Sequence, residues 1–424
     1  GTRAEWKVSP TFKVAADGYI STSERNSGGN DSYVVLRMNQ PNTTRIRLTG
    51  SSVPDVTTTL ADGRDLQTGL AQGLFTANDF NTHYYSRTGD NIKDRIGGLT
   101  LDADWRVDRF NVDNLKFGVS QTNRKKSRDM INNAFNAGQD HYSGENAINV
   151  GSLGNNVINQ TFSPGGFLSG VSGNFPRSFL GFDVNNYAQA LAGLDGQPRP
   201  GGGVYSSTLS APAFNPLESY RVEEKTTAAF VQADMSGDRW FADVGVRLVR
   251  TRTSAQAWDA KINDILQNGA FNFTAVYADP SVIQQDASYT SALPSGNFTY
   301  SLTDNLQLRL GAAKTMARPS VDKLAPSSTT ASISWGDFTQ IYGGNADLKP
   351  YTARQADVSL EWYYAKSSAL TFAVYQKNIK NQITNQWLTG QDIGAPGGRL
   401  FNVQRPINGD SAKARGMEIG LQHL

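Results

Sequence analysis

Residue types that carry covalent or metal chemistry are scarce in this sequence. There is no cysteine among its 424 residues, which excludes disulfides, zinc–thiolate sites, iron–sulfur clusters and cysteine nucleophiles. His83, His141 and His423 stand far apart, so a histidine metal site or dyad requires long-range folding. Gly165-Gly166-Phe167-Leu168-Ser169-Gly170 is glycine-rich. No strand pattern precedes it and no Lys-Ser/Thr follows, so it is not a phosphate loop. Glu223-Glu224 is a carboxylate pair, but neighbours on a strand face opposite sides and do not share a substrate. No nucleophile–base pairing emerges. The chain is therefore not expected to be an enzyme, and no catalytic residue, metal ligand or cofactor is assigned.

Bulk properties narrow the class further. Lys and Arg number 40 against 38 acidic residues, for a net charge of +2, which gives no reason to expect a nucleic-acid partner. No apolar run approaches the ~18 residues of a transmembrane helix. The opening Gly1-Thr2-Arg3-Ala4-Glu5-Trp6 lacks the apolar stretch of a signal peptide. Mean hydropathy is negative, which does not count against a membrane β-barrel, because only every second residue of such a wall meets lipid.

The elements that would position any polar residue show period two. Trp240, Ala242, Val244, Val246 and Leu248 alternate with Phe241, Asp243, Gly245, Arg247 and Val249. Leu306, Leu308, Leu310 and Ala312 alternate with Gln307, Arg309 and Gly311, and Ala356, Val358, Leu360 and Trp362 with Asp357, Ser359 and Glu361. A strand separates these sets; a helix would mix them. Such segments reach the ~9–11 residues that a tilted strand needs to cross hydrocarbon. Short turns are expected at Ser9-Pro10-Thr11, Val107-Asp108-Arg109, Ser236-Gly237-Asp238, Thr303-Asp304-Asn305 and Ala365-Lys366-Ser367-Ser368. Long Gly/Asn/Ser/Pro-rich segments separate them, near 125–215, 255–285, 318–350 and 381–408. Short turns on one side and long loops on the other describe an outer-membrane barrel. Aromatics near strand ends (Trp6, Trp105, Phe110, Tyr220, Trp240, Phe241, Tyr300, Trp362, Tyr363, Tyr364) are suited to interfacial girdles. The expected fold is all-β, a transmembrane antiparallel β-barrel, with roughly 14 to 16 strands in this chain. The basic run Arg124-Lys125-Lys126 with Arg128 then solvates a strand end at the mouth, where it can also meet lipopolysaccharide.

Several segments resemble TonB-dependent outer-membrane transporters. Gly344-Asn345-Ala346-Asp347-Leu348-Lys349-Pro350 is similar to the family's G-N-x-x-L-K-P, and Lys314-Thr315-Met316-Ala317-Arg318-Pro319 to its K-T-x-A-R-P. Leu293-Pro294-Ser295-Gly296-Asn297, Val222-Glu223-Glu224-Lys225-Thr226, Gly245-Val246-Arg247 and Ala414-Arg415-Gly416-Met417-Glu418 resemble its other strand starts, in the right order. The likeness is greatest to a subfamily often linked to carbohydrate uptake. Within it, Pro350 is read as setting the entry to a strand, Arg318-Pro319 as ending one, and Gly343 and Gly344 as permitting backbone angles that other residues avoid.

The resemblance implies a barrel of about 22 strands around an N-terminal plug of ~130–150 residues. Residues 1–424 are accordingly expected to be a partial barrel domain of a longer chain, with plug and closing strands outside it. It also implies TonB-dependent active import of a scarce solute, an oligosaccharide or a metal chelate, across the outer membrane of a Gram-negative cell. The partners implied are the TonB–ExbB–ExbD energising complex, lipopolysaccharide and outer-membrane lipid, the small solute, and a surface lipoprotein. Candidate solute contacts are loop residues Trp335, Asp337, Tyr342 and Trp387, because flat rings stack on sugar faces or planar chelates. The alternatives are a passive porin and an adhesin or phage-receptor barrel.

Overall fold

The computed structural model describes residues 1–50, 53–134, 140–154, 157–162, 165, 170–171, 175, 177–267, 273–334 and 337–424. The chain divides into two compact units, Gly1–Arg25, Asn91–Asp129 and Pro216–Leu424 in one, Asn26–Asp90 and Met130–Asn215 in the other. Gly165–Gly170 lies mostly outside the described residues.

An up-and-down sheet forms most of the first unit, and residues 80–90, 130–132 and 213–215 of its strands belong to the second. The strands of the sheet are β1 (Thr2–Ser9), β2 (Phe12–Asn26), β3 (Phe80–Arg109), β4 (Val112–Asn132), β5 (Ala213–Gly237), β6 (Trp240–Asp259), β7 (Ser281–Thr303), β8 (Leu306–Ala317), β9 (Tyr351–Ala365), β10 (Ser368–Lys380) and β11 (Ala412–Gln422). They are hydrogen-bonded in sequence order from β1 to β11. β1 pairs antiparallel with β2, as does each neighbouring pair from β5 to β11.

Register separates two faces. Met235, Ala242, Phe298, Leu310, Val358, Val374 and Met417 are cross-strand neighbours in one row from β5 to β11, and all are apolar. The adjacent row, on the opposite face, is Asp234, Asp243, Asn297, Gly311, Asp357, Tyr375 and Gly416. Because side chains alternate along a strand, one row of pleat changes the face from lipid-like to water-like. A Cβ at Gly416 would come within 2.7 Å of the Tyr375 hydroxyl, so any larger residue there has to displace that side chain.

Short turns join β1 to β2, β3 to β4, β5 to β6, β7 to β8 and β9 to β10. One falls later than the sequence suggests. β3 continues through Arg109, and the chain reverses at Phe110 and Asn111, with positive φ of 56° and 62°. Phe110 is thus 94% exposed in a turn. The girdle is also narrower than expected. Trp240, Tyr300 and Trp362 lie in the apolar face's rows near the short turns, whereas Phe241 and Tyr363 lie on the polar face and Tyr220 is buried.

The long connections are not structureless. The hairpins Ile262–Gln267 with Phe273–Tyr277 and Ile383–Asp392 with Leu400–Asn408 occupy two of them. Ser328–Ser334 and Asp337–Tyr342 pair in a third. Their strand-like composition inflates a count by periodicity. Among the described residues the principal sheet has 12 strands, Asp31–Met38 pairing with β3 off the main path, rather than roughly 14 to 16.

The second unit has its own core of Leu60, Leu70, Phe75, Phe80, Tyr85, Tyr142, Val150, Val157, Tyr187, Leu191 and Tyr205. Tyr142 and Tyr205 stack with ring centroids 5.4 Å apart. Helix Val184–Ala192 is capped by the Asp183 carboxylate, which accepts from the backbone N–H groups of Asn185 and Asn186. Much of the segment read as a loop from 125 to 215 therefore packs, because its tyrosines bury large surfaces.

Candidate functional site

On the polar face of the wall, charges meet across strands. Lys116 Nζ lies 2.6 Å from Asp234 Oδ2, and Arg309 Nε lies 3.1 Å from Glu361 Oε1. Arg247 Nη2 donates to Ser120 Oγ at 2.8 Å, and Asn297 Nδ2 donates to Asp243 Oδ1 at 3.0 Å. Asp243, Arg247, Gln307, Arg309, Asp357 and Glu361, expected from alternation to share a face, do so. Such a surface suits water or a polar body against it.

Towards the long-loop end this face carries a buried pair. Glu224, 4% exposed, accepts from Arg318 Nη1, which also donates to Thr226 Oγ1 at 2.7 Å. Arg124 is held by Asp94 (Nε to Oδ1, 3.0 Å). Glu223, one residue away, instead accepts from Asn123 Nδ2 at 2.9 Å and pairs with Lys125 Nζ at 3.1 Å. The two glutamates point to opposite faces, and so do Arg124 and Lys125.

The segment after Arg318 folds onto this wall. Val321, Leu324, Ala325, Ala346 and Leu348 bury against Tyr220, Val222, Ala255 and Ala257. Asn345 N–H donates to the Lys323 carbonyl at 2.7 Å. A Cβ on Gly344 would lie 2.7 Å from both the Ala325 nitrogen and the Lys323 oxygen. Neither Gly343 nor Gly344 has positive φ, so close backbone approach, not an unusual angle, is what Gly344 supplies. β8 ends at Ala317, before Arg318-Pro319, and β9 begins at Tyr351, after Pro350.

The loop candidates occupy a four-stranded sheet in the order Ser328–Ser334, Asp337–Tyr342, Leu400–Asn408, Ile383–Asp392. Trp335 lies outside the described residues. Asp337 opens its strand, opposite Ser334. Tyr342 packs against the cluster of Ile262, Ile265, Phe338, Phe401 and Val403, and burial pushes its phenol upward in pKa. Trp387 is 56% exposed and registers with Gln404, which registers with Ile341. Ile341 and Tyr342 are sequence neighbours on one strand, so Trp387 and Tyr342 occupy opposite faces of the sheet. Tyr342 and Trp387 thus do not share a face of this sheet. Sequence reasoning also passed over the Glu224–Arg318 pair: the alternation at Glu223-Glu224 was visible, but the partner is 94 residues away.

The histidines are dispersed. The ring of His141 is held between Arg199 and Ser206, and that of His423 lies beside Tyr364. Among the described residues no group of three or more His, Asp or Glu is placed to hold a metal ion.

An antiparallel meander with one apolar and one polar face, short turns at one end and long structured loops at the other, is the wall of a membrane β-barrel. The chain belongs to the TonB-dependent receptor family: the model described as "TonB dependent receptor-like, beta-barrel" matches residues 22–423. Members of this family are outer-membrane β-barrel receptors and transporters that interact with TonB and with their ligands. Among solved structures, the chain is similar to the closed form of the ferric-catecholate import receptor Fiu from E. coli K12, at 13% identity and TM-score 0.42, covering 97% of this chain and 45% of that one. It is similar to the ferric preacinetobactin receptor BauA of Acinetobacter baumannii, at 11% identity and TM-score 0.42, covering 99% and 41%. The siderophore receptor PiuA of Acinetobacter baumannii matches at 11% identity and TM-score 0.42, covering 99% and 43%. The chain thus spans less than half the length of these structures. A search of curated proteins finds no match.

Proposed function

We propose that this protein actively imports a scarce solute, an oligosaccharide or a metal chelate, across the bacterial outer membrane, driven by TonB with its ExbB–ExbD partners. The observation that carries this reading is the family match over residues 22–423, on a wall in which the apolar row from Met235 to Met417 adjoins the row from Asp234 to Gly416 on the opposite face. In this reading the polar face surrounds a plug supplied by a longer chain. The apolar face meets outer-membrane lipid and lipopolysaccharide. The loop sheet bearing Asp337, Tyr342 and Trp387, with Trp335, takes part in solute capture, alone or with a surface lipoprotein.

Growth on candidate glycans and chelates as limiting nutrient, with and without the gene, identifies the solute. Uptake is then measured in cells lacking the energising complex. Active import predicts that uptake is lost there. Uptake that persists would favour a passive porin, and unchanged uptake on deletion of the gene would favour an adhesin or phage receptor.

A further inference from the structure

The hairpin that carries Trp387 continues the wall. The ladder between β10 and β11 climbs from Ala369 opposite Gln422 to Ile379 opposite Ala412. The ladder of the loop hairpin starts at Ile383 opposite Asn408 and reaches Leu388 opposite Val403. Across the gap at 380–382 and 409–411 no residue is gained or lost on either strand, so both ladders share one register. Within the gap the Gly409 N–H donates to the Gln382 carbonyl at 2.6 Å, in that same register. Residues 369–388 and 403–422 therefore form one antiparallel ribbon, interrupted once. The interruption is marked by Asn381, whose φ of 60° lies outside the extended region.

Three asparagine side chains brace this interruption against β9. The ladder between β9 and β10 stops at Thr352 opposite Lys380, and Lys349 and Pro350 lie beyond the start of β9. Asn408 serves the backbone of Lys349 as a strand neighbour would. Its Oδ1 accepts from the Lys349 N–H at 2.8 Å, and its Nδ2 donates to the Lys349 carbonyl at 2.9 Å. The same Nδ2 donates to the Asn381 carbonyl at 3.2 Å, so Asn408 uses its oxygen and both amide protons. Asn381 Nδ2 donates to the Pro350 carbonyl at 3.2 Å, and Asn345 Nδ2 to the carbonyl of the fully buried Pro406 at 3.2 Å.

We propose that Asn408, supported by Asn381 and Asn345, is a positioning residue that fixes the bend of this ribbon and so holds the loop sheet at one angle to the wall. A single backbone bond across the gap does not define an angle; the amide bonds to Lys349 and Pro350 tie both arms of the bend to the top of β9. The loop sheet and β10–β11 then move as one piece. The proposal rests on reading the loop sheet as a surface that captures solute. A surface already held at its binding angle does not lose affinity to a spread of other orientations.

The test places nitroxide labels at Gln376→Cys on β10 and Thr389→Cys on the loop sheet of the complete protein in detergent. The distance between them is read by pulsed electron–electron double resonance. Residues 1–424 contain no other cysteine. The labelled parent should give one narrow distribution. Asn408→Ala should broaden it, and so should Asn381→Gly, which tolerates the positive φ and removes the amide. Asn408→Asp keeps the shape and the acceptor but loses both donors, so it should broaden the distribution as well. A distribution as narrow as the parent's in Asn408→Asp, or in Asn408→Ala, overturns the clamp. In cells, uptake of the glycan or chelate identified by growth should keep its maximal rate in Asn408→Ala. Its KM should rise about fivefold, as when one molecule in about five holds the competent angle. A broadened distribution with an unchanged KM would instead overturn the loop sheet's part in solute capture and leave the clamp standing.

Discussion

At the scale of single residues, Glu224 and Arg318 illustrate how a buried charge depends on one distant partner. Arg318 is about one-third exposed, whereas Glu224 is nearly inaccessible. Removing the arginine strands the carboxylate, and losing one member of a buried pair costs about 3 kcal/mol even at the low end of measured cases. Arg318→Ala should therefore destabilise the protein by about that amount in urea unfolding from micelles. Arg318→Ala combined with Glu224→Leu should recover most of it. Simple additivity of the two substitutions would mean that the pair carries no coupling. The alternation at Glu223-Glu224 made their divergence legible in the sequence; nothing local pointed to Arg318.

At the scale of elements, each wall strand is a two-sided object whose sides tolerate different substitutions. Leu310 sits mid-strand in the wholly apolar row, between Phe298 and Val358. A cation facing hydrocarbon there should cost about 2–4 kcal/mol, so Leu310→Arg should lower stability by that amount. Ala313, opposite Ser295 and Gln355 on the polar face, should accept arginine for less than about 1 kcal/mol. Equal losses at the two positions, read from unfolding in lipid vesicles, would contradict the assignment of faces. Wall strands were legible because period two persists over many residues. Loop strands were not separable from them, since a short alternating run looks the same whether it pairs in the wall or in a small sheet outside it.

At the scale of the whole molecule, the two compact units should respond differently to pH. In the second unit His141 is 6% exposed. Its Nε2 accepts from the Ser206 N–H at 2.9 Å, and its Nδ1 lies 2.7 Å from Arg199 Nη1. Burial first, and then the Arg199 charge, hold its pKa below the usual imidazole value of 6.5, with Asp195 opposing weakly. For a base whose folded pKa is depressed, the unfolded chain binds the proton first, so stability is complete above the unfolded pKa and is lost as pH falls below about 6.5. A second loss follows below about 4. There the unfolded chain takes up a proton at Asp62 while the folded carboxylate, held low by Arg64 and Gln40, stays ionised to lower pH. The same holds for Asp79, where burial opposes but Arg64 and Thr76 prevail in holding the folded carboxylate low. Hydrogen exchange of segment 140–206 should quicken on acidification from pH 7 to 5, and His141→Asn should remove that first step. An unchanged profile in the variant would assign the step elsewhere.

The sequence by itself determined the wall: alternation, turn chemistry and ordered motifs follow from local rules of strand geometry, so the all-β barrel and its family could be read from residues close together in the chain. Only the tertiary structure decided what the polar residues do with one another. It paired Glu224 with Arg318, turned Trp387 and Tyr342 to opposite faces of one loop sheet, and set Asn408 against Lys349. Those relations depend on cross-strand register and on how long connections fold back, which join positions tens of residues apart and leave no periodic mark in the chain.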